Sequence, residues 1–189
     1  MEEKDYTGAC GLYCGLCPRF QSSAASRCLG CQLGPQHDYC SVYRCARKRG
    51  YWTCAACAGY PCERLLRVVG DGVDSFLSHQ PMLPNLDRIR EATLEIHLQE
   101  QRERRLLAEQ LISEYNEGRS MTFYCTAATL LRLAVLREAL EEMEALLDSG
   151  QVDGADIKAK AKAMKALIQE CADREGVSLK LRRQKEAKA

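Results

Sequence analysis

Ten cysteines stand in the first 62 residues, at Cys10, Cys14, Cys17, Cys28, Cys31, Cys40, Cys45, Cys54, Cys57 and Cys62, and only Cys125 and Cys171 follow. They include three C-x2-C pairs (Cys14/Cys17, Cys28/Cys31 and Cys54/Cys57) and a C-x4-C pair, Cys40/Cys45, spacings typical of structural zinc. The reason is geometric. Two intervening residues make a tight turn that aims both thiolates at one ion, and its backbone N–H groups can hydrogen-bond the sulfurs. Gly30 before Cys31 and Gly59 after Cys57 are residues such turns favour. The same stretch holds four Leu, one Val and no Ile, too little aliphatic material for a core of its own. Disulfides or metal must therefore hold it together. The N-terminus, Met1-Glu2-Glu3-Lys4-Asp5, lacks the basic and then apolar segments of a signal peptide. The expected compartment is a reducing cytoplasm, where thiols stay free for metal, and all ten cysteines are expected ligands.

Spacing leaves the pairing open. In chain order, Cys14, Cys17, Cys28 and Cys31 hold one ion and Cys40, Cys45, Cys54 and Cys57 another. A crossed arrangement joins the first pair to the third and the second to the fourth. Both leave Cys10 and Cys62 over, whereas one four-cysteine site plus a two-metal cluster would use all ten. Two closed zinc sites of −2 each would take the formal charge from +1 to about −3. Iron is the alternative metal. Cys10-x3-Cys14-x2-Cys17 has the cluster spacing of radical S-adenosylmethionine enzymes, and Pro18 follows Cys17 as in ferredoxins. Those enzymes need a βα barrel that a helical chain cannot supply, which leaves a carrier of two [4Fe–4S] clusters.

The other chemistry-bearing residues are sparse. Arg44, Arg47, Lys48 and Arg49 interleave with Tyr43, Tyr51 and Trp52, a pattern that can grip phosphate and stack bases. The competing expectation is a solvated loop whose aromatics pack on the metal module. The Lys158–Lys165 run fits the wet face of a helix. His37 could replace a thiolate, His79 suits the end of a helical turn, and His97 is expected at the surface. Cys125 falls on a helical stripe with Leu136, Met143 and Leu147, which places it in a core. The alternative is a thiolate at a helix N-terminus, reactive or serving as an extra ligand. Cys171 is expected in a core seam. No Ser–His–Asp grouping, phosphate-binding Gly loop or paired-carboxylate motif occurs, so no catalytic residue and no organic cofactor is assigned.

Cys10-Gly11-Leu12-Tyr13-Cys14-Gly15-Leu16-Cys17-Pro18, Cys28-Leu29-Gly30-Cys31, Cys54-x2-Cys57 and Tyr60-Pro61-Cys62 resemble domain-of-unknown-function family 3795, a prokaryotic cysteine-rich family. Tyr115-Asn116-Glu117-Gly118-Arg119-Ser120 and Phe123-Tyr124-Cys125 resemble its longer members, so the likeness spans roughly residues 8–148. The resemblance implies metal binding and brings no activity.

The elements that must carry these residues follow from composition and periodicity. Twenty-seven basic and 26 acidic residues nearly cancel, so no global field steers the chain toward nucleic acid. Apolar runs fall short of the roughly 20 residues of a membrane span. Composition shifts near Pro61-Cys62-Glu63, and apolar residues then recur at helical spacing. Helices are expected from Glu63 to Gly70, through a short turn at Val73–His79, from an Asn85 cap to Asn116, from about Ser120 to Gly150, and from about Ala155 to Glu175. The last carries an Ile157, Ala161, Met164, Ile168, Cys171 seam. The expected fold is mainly α: an irregular cysteine-rich metal module over 1–62, an α-helical bundle over 63–179 and a frayed basic tail over 180–189. The expected function is that of a zinc-binding, non-catalytic interaction or scaffold protein whose partner is another protein. The alternatives are an iron–sulfur redox or metal-handling accessory protein, and nucleic-acid binding through Arg44–Trp52.

Overall fold

Helical periodicity dominates the chain beyond the cysteines, and the computed structural model, which describes residues 2–34, 39–70 and 72–183, is correspondingly mainly α. Its helices are α1 (Pro18–Gln21), α2 (Ser41–Lys48), α3 (Glu63–Gly70), α4 (Met82–Glu91), α5 (Leu94–Tyr115), α6 (Met121–Leu130), α7 (Leu133–Asp148) and α8 (Ile157–Arg174). Among the described residues the only extended pairing is one antiparallel bridge, Thr7 with Tyr13. None of the described helices is long and apolar enough to cross a membrane.

Two compact units result: Met1–Arg102 with Leu181–Ala189, and Glu103–Lys180. The division falls inside α5, not at the compositional break near residue 62. The reason lies in the scarcity of aliphatic side chains among the cysteines. Ala9, Val42, Ala46 and Ala55 find their core partners downstream, in Leu65 of α3 and Met82 and Leu86 of α4. The cysteine-rich stretch is also less irregular than expected, since α1 and α2 lie within it.

Gly11 shows how tightly this unit closes. Its φ is +88°, and a Cβ there would lie 2.5 Å from the Met82 carbonyl oxygen and 2.8 Å from Leu86 Cγ. Asn85, expected as a helix cap, instead sits inside α4 and donates its side-chain N–H to the Gly11 carbonyl at 2.8 Å. The expected long helix is broken at Ala92, whose φ and ψ are both −107°, and the Thr93 hydroxyl then accepts the Ile96 N–H at 3.2 Å. His97 in α5 is fully buried, not at the surface. The 73–79 segment forms bends instead of a helical turn and places Asp74 in the interior. Asp74 accepts the backbone N–H groups of His79 (2.8 Å) and Arg182 (2.7 Å) and the Arg182 guanidinium (2.8 Å). The expected frayed tail is therefore pinned through Arg182; residues 184–189 lie outside the described residues.

The second unit buries Leu111, Tyr115, Tyr124, Leu131, Leu136, Met143, Met164 and Ile168. Its expected helix from Ser120 to Gly150 is two helices. Arg104 Nη1 donates to the carbonyls of Ala128 (2.9 Å) and Leu131 (2.6 Å), taking up acceptors that the end of α6 leaves free. Extended Arg132 (ψ 144°) then turns the chain into α7, which packs along α8. Asp156 caps α8 by accepting the Lys158 N–H at 2.8 Å. The α8 seam buries Ala161, Met164, Ile168 and Cys171, whereas Ile157 in the first turn is 41% exposed. Cys125 is fully buried in α6, the core position that its helical stripe implies.

Candidate metal centre

All the candidate ligands belong to the first unit, and two short turns set their geometry. Cys14–Leu16 and Cys54–Ala56 are single 3-10 turns closed by the same hydrogen bond, from Cys17 N–H to Cys14 O (2.9 Å) and from Cys57 N–H to Cys54 O (3.1 Å). Cys17 and Cys57 then leave the turns with near-identical backbone angles, φ −80° with ψ 131° and φ −80° with ψ 130°. Two C-x2-C segments 40 residues apart are thus conformational copies of one knuckle.

The sulfurs attract backbone donors, as the spacing implies. Gly30 adopts φ +92°, and its N–H points at Cys28 Sγ (3.4 Å) while the next N–H, of Cys31, points at Cys14 Sγ (3.2 Å). Tyr43 N–H reaches Cys40 Sγ at 3.5 Å, and Arg49 Nη1 reaches Cys57 Sγ at 3.6 Å. None of the twelve cysteines takes part in a disulfide.

Thiol neighbours fall into two sets that follow chain order. In the first, a hydrogen bond between the Cys14 and Cys31 sulfurs, reinforced by burial, holds Cys14 well above its ordinary value. The same bond, working against burial, brings Cys31 down to about 7. Burial raises Cys17, to which nearby Cys28 and Cys31 add. In the second set, burial pushes Cys54 up to about 11, with further contributions from Cys62, Cys45, Cys57 and Cys40. Cys10, pushed up to about 12 chiefly by burial, feels Cys31 from the first set and Cys40 and Cys54 from the second. It lies between the two groups. Among the described residues, however, no three Cys, His, Asp or Glu side chains stand close enough to form a ready-made metal site. The thiols are neighbours, not a closed ligand set.

Cys45, Cys54, Cys57 and Cys62 open onto one cavity of about 710 Å³ between α2 and α3, and Cys40 does not line it. The remaining candidates are dispersed. His37 lies outside the described residues; His79 bonds Asp74 and Ser75. Cys125 and Cys171 belong to the second unit. The basic and aromatic stretch is partly spent on internal contacts. Trp52 donates its ring N–H to the Lys4 carbonyl at 3.0 Å, and its ring is covered by Lys4 and Arg47. Arg47 also covers Tyr43 and donates to the Gln32 side chain. The residues that spacing alone missed are arginines. Arg90 of α4 donates to the Ala55 (2.8 Å) and Cys57 (3.3 Å) carbonyls, fixing the second knuckle, while Arg64 and Arg67 of α3 line its cavity. Their i, i+3 spacing just after Cys62 was the available signal.

Residues 6–67 match the model of a family described as "Protein of unknown function (DUF3795)". The match covers the cysteine-rich stretch and the start of α3 and stops short of the helical segments that also resembled longer members. No curated protein and no solved structure matches the chain significantly.

Proposed function

We propose that the first unit binds metal through its thiolates, with zinc as the ion at two four-thiolate sites, and that the protein is a non-catalytic platform for another protein. The observation that carries this reading is the pair of conformationally identical C-x2-C knuckles, each beside further free thiols. The N–H groups aimed at Cys14 and Cys28 are the donors that spread thiolate charge in such sites. Cys14, Cys17, Cys28 and Cys31 would hold one ion and the cavity cysteines Cys45, Cys54, Cys57 and Cys62 the other, with each set closing in from its present spacing. A four-thiolate zinc site keeps no open coordination position, which favours structure over catalysis. Leu29 and Leu33, in and just after the Cys28–Cys31 segment, are each 48% exposed, apolar surface available to a partner protein.

Metal analysis and an absorption spectrum of anaerobically purified protein test the reading. Two zinc ions per chain are expected, and Cys28→Ser should retain one. Iron with sulfide and absorption near ~400 nm would replace zinc by iron–sulfur clusters in an accessory protein. A chain without bound metal would remove both.

A further inference from the structure

Charge is distributed unevenly among the arginines of this chain. Arg88, Arg105, Arg132, Arg137, Arg174 and Arg182 each pair with a carboxylate. Arg44, Arg49, Arg64 and Arg67 have no such partner among the described residues, yet all four line the same cavity, where Glu63 is the one acidic residue among the described lining. Two of them are held in place by neutral or thiol acceptors. Arg64 Nη1 donates to the Ser41 carbonyl at 3.3 Å, and Arg49 contacts Cys57 Sγ. Each guanidinium has five N–H donors, so both retain most of their capacity. All four arginines are exposed, so water and salt screen their mutual repulsion, but together they make the rim positive and favour an anion that joins them.

We propose that this cavity binds a small molecule bearing a phosphomonoester or diphosphate group. The guanidinium fork matches phosphate oxygens bidentately, and a multiply charged anion suits a rim whose formal charge is three positive. The volume, about 710 Å³, lies in the range of small-molecule sites and exceeds what a bare phosphate fills. Half-buried Tyr51 on the wall offers an aromatic face to the organic part. The inference does not rest on the metal reading. A four-thiolate zinc site on Cys45, Cys54, Cys57 and Cys62 would carry −2 and leave the rim a positive remainder of one. The sign still favours an anion, but metal-loaded protein should bind it more weakly than metal-free protein.

The test uses the full chain as purified, with metal content measured on the same sample. Inorganic pyrophosphate is titrated calorimetrically at low salt. Saturable binding is expected, weakened at least about tenfold in an Arg64→Ala/Arg67→Ala variant and unchanged in Arg137→Ala, which lies in the other unit. Should the double variant fail to fold, Arg64→Gln and Arg67→Gln singly serve the same comparison. Failure to bind at millimolar pyrophosphate overturns the proposal, as does equal binding by the cavity variants. An oligonucleotide without a terminal phosphate that competes as well as pyrophosphate also overturns it, in favour of a nucleic-acid surface. Metal-free protein that still binds pyrophosphate upholds this proposal and removes the metal reading; metal-loaded protein that ignores pyrophosphate does the reverse.

Discussion

Gly11→Ala tests how closely α4 closes on the cysteine-rich segment. Two costs add. Alanine at φ +88° is strained by about 1 kcal/mol or slightly more, because Cβ crowds its own backbone in that region. The new methyl must also move the Met82 carbonyl, 2.5 Å away, and Leu86, which is fully buried. Overpacking of that kind costs about 1–3 kcal/mol, and a backbone oxygen cannot rotate aside as a flexible side chain can. The expected loss is about 2–4 kcal/mol, a large part of an ordinary folding free energy. Gly50→Ala is the matched control: its φ is +73°, but nothing lies within 4 Å of its Cβ position, so only the strain remains. Trp52, the sole tryptophan, lies in the same unit and reports urea unfolding by fluorescence without interference from the other unit. With a slope near 2 kcal/mol per molar urea, Gly11→Ala should lower the midpoint by about 1–2 M and Gly50→Ala by about 0.5 M. Equal shifts for the two variants would refute the close approach of Gly11 to α4.

Three further outcomes follow from particular contacts. Burial raises the Asp74 carboxyl, but hydrogen bonds from Arg182 and from the His79 and Arg182 N–H groups outweigh it and hold the group below its ordinary value. Its contribution is therefore present above the unfolded carboxylate range and fades as pH falls through the lowered value. Asp74→Asn should cost about 2 kcal/mol at pH 7 in the Trp52 urea assay and progressively less toward acid; a pH-independent difference would contradict the assignment. Arg104→Ala strips the Ala128 and Leu131 carbonyls of their donor and should lower stability of the second unit by about 2 kcal/mol, read by thermal circular dichroism; an unchanged midpoint would refute the role given to Arg104. Cys125→Ala should cost about 1 kcal/mol and leave metal content unchanged, while loss of an ion would make this buried thiol a ligand.

The helical class was legible because apolar periodicity persists from α3 to α8, and two of the three C-x2-C pairs form the local turn their spacing implies. Cys28–Cys31 instead runs irregularly, with Gly30 N–H bonding Cys28 Sγ and Cys31 N–H bonding Cys14 Sγ. What sequence could not show depends on distant partners. The α6/α7 break carries no Gly or Pro, and its carbonyls are taken by Arg104 from α5. The α4/α5 break falls at Ala92-Thr93, again without Gly or Pro, where Thr93 caps the helix that follows. Asn85 has the chemistry of a cap but spends its amide on Gly11, 74 residues earlier in sequence. Composition marked a boundary at Cys62, yet Leu65, Met82 and Leu86 supply the aliphatic bulk the cysteine segment lacks, so the compact unit runs past it. Arg182 was legible only as part of a basic tail, because nothing local marks Asp74 as its partner 108 residues away.

The same distinction between local and tertiary signals decides which cysteine completes the second set. As a loop, Cys40-x4-Cys45 would be a chelating pair, but Ser41–Lys48 is α2 and Cys40 is its N-cap. Cys40 precedes the helix with extended backbone (φ −83°, ψ 111°), and of the two thiols only that of Cys45 lines the cavity. Cys45 shares the inward side of α2 with Val42 and Ala46, which are buried, and it lines the cavity. Cys40 is exposed, with its sulfur accepting the Tyr43 N–H as the cap of α2. On the two-site reading proposed above, Cys62, just before α3 and lining the cavity, would take the fourth place beside Cys54 and Cys57. Cys62→Ser should therefore lose one ion and forfeit much of the ~10–16 kcal/mol that a structural zinc contributes. Cys40→Ser should keep both with little change in stability, because a serine hydroxyl caps a helix at least as well as the thiol it replaces. Metal content of the two purified variants decides the matter. Loss of an ion from Cys40→Ser with both retained in Cys62→Ser would mean that chain spacing, and not the orientation of α2, selects the ligands.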